Sequence, residues 1–255
     1  MNVLVCIKRV AMVGARIVVT PDGQEVDTKQ LGFTVSPHEE CAVEEAVRIV
    51  ERVGGSVSVL TLGPSEASEQ LRDAAALGAT HLVHLKTDGR EFDPIATSHA
   101  IVDAVQQLES DRGTYDLILF GNEAPDTGDY QVGIRVAHRL HRPCVAGIKN
   151  LEVSETSARA RREFRGGDEL FELELPCVLS VKEGINLPRY PSLPGRMRAK
   201  KAVIEEFEPS AHASAVVKEG LRVPRVTRER AEILGTGVDA VPALLALLEE
   251  IGVLS

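Results

Sequence analysis

Residues 56–85 read SVSVLTLGPSEASEQLRDAAALGATHLVHL, and this stretch decides the fold class. Ser56 to Leu62 is a short apolar run rich in valine, the composition of a buried strand. Gly63-Pro64 ends it. Residues 65–77 place Leu71, Ala74 and Ala75 at helical spacing, and His81 to Leu85 is strand-like again. A strand, a helix and a second strand at this separation form a crossover unit, which makes the two strands parallel.

The alternation continues on both sides. Residues 2–8 read as a buried strand, and residues 15–33 as an irregular hairpin turned at Pro21-Asp22-Gly23. Ser36-Pro37-His38-Glu39 opens a helix: Ser36 is a good N-cap, Pro37 suits the first turn, and Glu39 completes a capping box. Val43, Ala46, Val47 and Val50 follow at helical spacing, and Gly54-Gly55 stops the helix. Beyond residue 85, a helix over 94–109, a strand over Tyr115–Phe120 stopped by Gly121, and a helix over 129–141 repeat the pattern. The expected fold is α/β, a doubly wound, mostly parallel sheet covered on both faces.

From about residue 148 the pattern turns to strands. Arg159–Arg165 and Asp168–Leu175 flank Gly166-Gly167, a hairpin signal. This alignment sets Arg161 opposite Glu172 and Arg159 opposite Glu174, on a charged face, with Phe164, Phe171, Leu173 and Leu175 on the other. Val178–Val181 reads as a further strand, residues 186–201 as a proline-stiffened loop, and Val241–Ile251 as an amphipathic helix lying on the main domain or a partner. The expected organisation is one α/β nucleotide-binding domain over 1–201, with the hairpin as an extension, and a C-terminal arm over 202–255.

Composition narrows the function. The chain has 255 residues, 44% hydrophobic and 26% charged, as in ordinary globular proteins. No apolar run reaches the ~18–20 residues that span a bilayer, so no membrane insertion is expected. The opening run lacks the layout of a secretory signal, and the expected compartment is cytoplasmic. A net charge of −9 repels phosphate backbones, and tryptophan is absent, so no nucleic-acid partner is expected. Cys6, Cys41, Cys144 and Cys177 are widely spaced, which implies reduced, mostly buried thiols rather than a zinc site.

Phosphate-loop, dinucleotide-fingerprint and nucleophile-elbow motifs are all missing. The segment Gly121-Asn122-Glu123-Ala124-Pro125-Asp126-Thr127-Gly128-Asp129-Tyr130-Gln131-Val132-Gly133 instead leads from a buried strand into a helix. Its small residues admit close backbone approach, and its helix start offers free amides to a phosphate. The same residues also suit an ordinary strand–turn–helix connection. Ser36–Glu39 is a second helix start that could face the same crevice. His138 and His141 lie three apart without a third ligand, and His81 and His84 point to opposite faces of a strand, so neither pair is read as a metal site. Residues 189–201 carry Arg189, Arg196, Arg198, Lys200 and Lys201 and no acid. Leu193 beside them is either an exposed anchor for a partner or packed inward.

With these segments in order, the chain resembles the electron-transfer flavoprotein β-subunit family over most of its length. The carrying pieces are Val3-Leu4-Val5-Cys6-Ile7-Lys8-Arg9-Val10, Ser36-Pro37 with Ala42 to Val47, Leu62-Gly63-Pro64, Ala76-Leu77-Gly78-Ala79, the 121–133 loop, and Pro188-Arg189-Tyr190 through Lys200-Lys201. The resemblance implies a Rossmann-like, adenine-nucleotide-binding fold and a heterodimer with a larger α subunit, on which the C-terminal arm packs. It implies FAD held mainly by that subunit and shared with this chain, and AMP bound within this chain. By position, the AMP site comprises Cys6, Ser36, Pro37, His38, Glu39, Leu62 and every residue from Gly121 to Val132, with the phosphate at the Asp126–Val132 turn. Val13 is placed near the flavin. Arg189, Tyr190, Leu193, Pro194 and Met197 fall in the family's recognition loop, and Lys200 and Lys201 in the basic run after it.

The activity implied is electron carriage, not catalysis. Acyl-CoA or other flavin dehydrogenases are the implied donors, and a quinone-linked oxidoreductase the acceptor. Members that bifurcate electrons hold a second FAD in place of AMP, often with an Asp-Gly-Asp-Thr loop; Asp126-Thr127-Gly128-Asp129 matches neither form cleanly. Outside the resemblance, an adenine-nucleotide-binding enzyme or sensor module stands as the alternative.

Overall fold

The computed structural model describes residues 1–12, 14, 16–89, 91–210, 212–224 and 231–254. The described elements are β1 (Asn2–Ile7), β2 (Val10–Ala11), β3 (Phe33–Thr34), α1 (Pro37–Val53), β4 (Ser56–Gly63), α2 (Ser68–Leu77), β5 (His81–Lys86), α3 (Pro94–Arg112), β6 (Leu117–Gly121) and α4 (Val132–Arg139). They continue with β7 (Cys144–Ile148), β8 (Asn150–Val153), β9 (Ser157–Phe164), β10 (Gly167–Glu174), β11 (Cys177–Val181), α5 (Leu193–Lys201), β12 (Ile204–Phe207) and α6 (Val241–Glu250). Seven strands form the main sheet in the order β12-β5-β4-β1-β6-β11-β7, and every pairing in it is parallel. The α/β, doubly wound expectation is met.

Strand alternation divides the core. Val3, Val5 and Ile7 of β1 point to the side covered by α1 and α2, while Leu4 and Cys6 point to the side covered by α3 and α4. The chain runs outward from β1 through β4 to β5, then returns to lay β6 on the other side of β1. Loops after β1 and β6 therefore part in opposite directions and open a crevice at the carboxyl edge.

Several expectations change. Cys144–Ile148 is a strand of the main sheet that the periodicity missed, because Gly147 interrupts its short apolar run. The helix after β6 starts at Val132 rather than 129, leaving residues 122–131 as a longer loop. The hairpin turns on Arg165-Gly166, both in the left-handed region at φ 47° and 80°. Arg159 thus pairs with Glu172, and Arg161 with Leu170. The expected register was off by two residues, which preserves the faces. Arg161 reaches Asp168 instead, at 2.9 Å. β8 joins the hairpin to make a three-stranded antiparallel sheet. In the 15–33 region, Val19 and Val26 form an isolated antiparallel bridge.

Residues 193–201, expected to be loop, are α5. Its charged surface hides the helical signal, because only Gly195 and Ala199 are buried. The local code is nonetheless there: the Ser192 hydroxyl accepts from the Gly195 amide at 3.1 Å, and Pro194 sits in the first turn. Arg72 of α2 closes the other end by donating to the carbonyls of Ala199 (3.0 Å) and Ala202 (3.3 Å). β12 follows directly and pairs with β5, so residues 204–207 extend the main sheet. α6 buries none of its residues; Val241, Leu244, Leu245 and Leu247 stay exposed rather than covering the sheet domain.

A Cβ added to Gly195 would stand 2.3 Å from the Ala76 carbonyl oxygen. Gly195→Ala should push α5 off α2 and lower stability by about 1–3 kcal/mol, read from urea denaturation midpoints. An unchanged midpoint would show that α5 is not seated on α2.

Candidate functional site

A cavity of about 770 Å³ opens at the carboxyl edge, where β1, β4 and β6 end. Cys6, Leu60 and Phe120 line it from the three strands, and Ile101 from α3. These side chains make an apolar floor next to a polar rim, the usual composition of a small-ligand site.

One rim begins at Glu39. The capping box is formed as expected: Ser36 Oγ accepts from the Glu39 amide at 3.2 Å, and Glu39 Oε2 accepts from the Ser36 amide at 2.9 Å. The second carboxylate oxygen accepts from the Lys8 amide at 2.8 Å, just past β1. Glu39 thereby ties the end of β1 to the start of α1. Burial pushes its carboxyl up to about 7, against the lowering effect of the Ser36 and Lys8 hydrogen bonds. Cys6 lies fully buried beside it, its thiol raised by burial and then by the Glu39 charge. Gly121 passes over this pair so closely that a Cβ there would come within 2.6 Å of Glu39 Cγ.

The other rim is the 121–133 loop. Gly128 donates to the Ala124 carbonyl at 2.8 Å, and Gly128 (φ 61°) and Tyr130 (φ 55°) both take the left-handed conformation. Lys8 Nζ meets Asp126 at 2.6 Å across the cavity edge. α4 then starts without a side-chain cap, since the Gln131 side chain accepts from Arg135 Nε at 2.7 Å instead. Its first amides, which have no intrahelical acceptor, stand at the cavity wall with Val132 and Gly133. Opposite them Arg9 lies 3.3 Å above the Phe33 ring. Its buried Nε has no hydrogen-bond partner among the described residues. An uncapped helix start, an unsatisfied guanidinium nitrogen and an apolar floor fit a ligand with a flat apolar body and an anionic group.

Of the residues expected at the nucleotide, Cys6, Glu39, Leu62, Gly121, Asn122, Glu123, Ala124, Asp126, Thr127, Asp129, Tyr130, Gln131 and Val132 line this one cavity. Ser36, Pro37, His38, Pro125 and Gly128 do not. Ser36 is buried in the capping box, and His38 accepts from the Glu183 amide at 2.8 Å while its Nε2 lies 3.7 Å from Glu123. Val13, expected near the flavin, lies outside the described residues. Sequence reasoning missed Lys8, Arg9 and Phe33, and the start of α3 at Phe92, Asp93 and Pro94. Asp93-Pro94 repeats the cap-and-proline grammar of Ser36-Pro37, which could have found it. Ser214, Val216 and Lys218 also line the cavity, and nothing in their local sequence announces this.

A second surface lies at α5. Leu193 is 75% and Tyr190 95% exposed, with Leu187 and Met197 exposed beside them. Arg196, Arg198, Lys200 and Lys201 are exposed as well. Arg189 is different: it is held by Glu44 at 2.9 Å and Glu51 at 2.6 Å, so it braces the loop against α1. Elsewhere, His84 is buried against the Gly63 carbonyl at 3.0 Å. No metal-holding cluster occurs among the described residues, and none of their helices is long and apolar enough to cross a membrane.

Glu39 yields a pH prediction. Its folded value near 7 exceeds its ordinary 4.5, so its contribution to stability is present at acidic pH and is lost as pH rises through about 7. Glu39→Gln should flatten the decline in urea midpoint between about pH 4.5 and 7, the interval between the unfolded and folded values. Parallel declines in both proteins would show that the carboxylate is already ionised in the fold.

Comparison with known proteins follows the same lines. A family model described as the electron transfer flavoprotein domain matches residues 25–212. The chain is 36% identical over 210 residues to electron transfer flavoprotein subunit beta of Bacillus subtilis, covering 82% of this chain and 79% of that protein. It is 32% identical over 258 residues to the protein of that name from Bradyrhizobium diazoefficiens, with full coverage of both. To the human subunit beta it is 31% identical over 253 residues, covering 99% of this chain and 98% of that one.

Proposed function

This chain belongs to the electron transfer flavoprotein family, alongside its beta subunits, and we propose that it is the β half of a heterodimeric electron carrier. In this reading a larger α subunit holds FAD, AMP occupies the carboxyl-edge cavity of this chain, and flavin dehydrogenases such as acyl-CoA dehydrogenases dock at α5. A quinone-linked oxidoreductase is the acceptor. The single observation that carries the reading is the convergence of the 121–133 loop, Cys6, Glu39 and Leu62 on one cavity of about 770 Å³.

Bound FAD supplies a centre that takes up a pair of electrons and releases them one at a time. The chain's own residues do the rest. Cys6, Leu60 and Phe120 keep water from the adenine end of the cavity, and the α4 amides with Arg9 offset the charge of a phosphate. No side chain is assigned an acid or base role. Leu193, Tyr190 and Met197 offer apolar contact that docking would remove from water, and the basic residues of α5 draw in an acidic partner surface.

Nucleotide analysis of the purified α–β pair tests the cavity assignment. Denaturation should release one AMP for each FAD; two FAD and no AMP would move the chain to the bifurcating type.

The docking surface is tested separately. Leu193→Ala should lower the rate of reduction by an acyl-CoA dehydrogenase by roughly tenfold, the scale of one buried leucine anchor, with flavin content unchanged. Equal rates would remove Leu193 from the docking surface.

A further inference from the structure

Residues 212–221 follow β12, and Ser214, Val216 and Lys218 among them line the cavity. None of these residues is buried, and Val216 and Val217 are 62% and 82% exposed. The segment is fastened by polar contacts. Asp93 is the central one: Oδ1 caps α3 through the Ala96 amide at 2.6 Å, and Oδ2 accepts from the Ala215 and Val216 amides at 2.6 and 2.9 Å. On one side His212 Nε2 meets Asp103 at 2.7 Å, and its Nδ1 lies 3.3 Å from His99 Nδ1, the two rings edge-on. On the other side Lys218 pairs with Glu91 at 3.0 Å, and Leu221 donates to the Gly23 carbonyl at 2.7 Å.

We propose that residues 212–221 are a strap that closes the nucleotide cavity, fastened by Asp93 and latched by the His99–His212–Asp103 cluster. The proposal rests on the reading of the cavity as an adenine-nucleotide site. A segment held by exposed polar bonds, without buried apolar contacts, opens at far lower cost than the core unfolds. A ligand beneath it leaves only when it opens, so strap opening sets the release rate.

The latch is sensitive to acid. Two imidazole nitrogens at 3.3 Å share one proton comfortably and repel when both rings are cations. The groups facing His99 are His212 on the strap, Arg139 on α4, Asp103 on α3 and Asp93 at the N-cap of α3. Burial, then Arg139 and His212, holds His99 below its ordinary value, with the two carboxylates opposing. A depressed histidine favours the closed form above its ordinary value, and that preference is lost as pH falls through the folded value.

Two variants of the full chain, purified with its partner subunit, test the strap, using release of labelled AMP into excess unlabelled AMP and amide exchange over 212–221. Asp93→Asn keeps the helix cap, since asparagine caps as well as aspartate, but loses the charged acceptor for Ala215 and Val216. It should release AMP about tenfold faster, the equivalent of one charge-assisted hydrogen bond, and speed exchange at those two amides. His99→Gln, outside the cavity wall, should abolish an acid acceleration of both readouts that the unmodified protein shows between about pH 7.5 and 5.5. Unchanged release and exchange in Asp93→Asn overturn the strap, and pH-independent exchange in the unmodified protein overturns the latch. If AMP binds neither protein, the nucleotide reading fails instead, and amide exchange still decides the strap.

Discussion

One buried carboxylate holds the carboxyl edge together. Glu39 receives the amide of Lys8 from the end of β1 and the amide of Ser36 from the start of α1. Gly121 from the end of β6 is pressed against its side chain. Three segments distant in sequence therefore meet on one side chain that is 5% exposed. Unsatisfied amides at a buried helix start or strand end are costly, and this carboxylate satisfies two of them at once. The crevice between the loops after β1 and β6 follows from the strand order, but its width is set by this contact. A glycine at 121 is what the contact requires, since no Cβ fits between β6 and Glu39.

Much of this was legible in the sequence, and the rest failed for physical reasons. Apolar periodicity located the central strands because they are buried on both faces and so read as continuous hydrophobic runs. The capping box at Ser36–Glu39 was equally readable, because it is written within four residues. α5 escaped because it is seated by Gly195 and Ala199 alone, and two small residues among prolines and cations leave no hydrophobic stripe. β7 escaped because it is short and broken by Gly147. The hairpin register slipped because Arg165, a non-glycine residue at positive φ, occupies a turn position where Gly166-Gly167 looked the better pair. At the site, the loop after β6 was found from its place after a strand. Residues 212–218 were not, since their position depends on Asp93 and Asp103 far away in sequence.

The cavity wall is thus built from parts of very different firmness. β1, β4 and β6 are buried in the sheet, and α4 lies so close to β6 that a Cβ on Gly133 would meet the Phe120 ring at 3.1 Å. The strap, by contrast, buries nothing. The charge pattern follows this division. At the cavity, Lys8 pairs with Asp126 and Lys218 with Glu91, whereas the cations of α5 past residue 195 remain exposed. A chain of net charge −9 carries here a local group of exposed cations beside exposed leucine and tyrosine, a combination in which opposite charge steers an encounter and apolar contact slows departure.

The cavity and α5 are joined through one rigid unit. β4 ends at Gly63, whose neighbours Leu62 and Pro64 also line the cavity. The chain turns there into α2, and the far end of α2 receives Gly195 at the Ala76 carbonyl and caps α5 through Arg72. Close-packed elements of this kind do not deform continuously. The distance between the cavity and α5 is therefore fixed by the β4–α2 unit. Relative motion of other parts of the chain then has to occur outside that frame. Within this chain, the segments free to take part are those fastened by polar contacts or left uncovered, the strap and α6, and both belong to the stretch that follows β12.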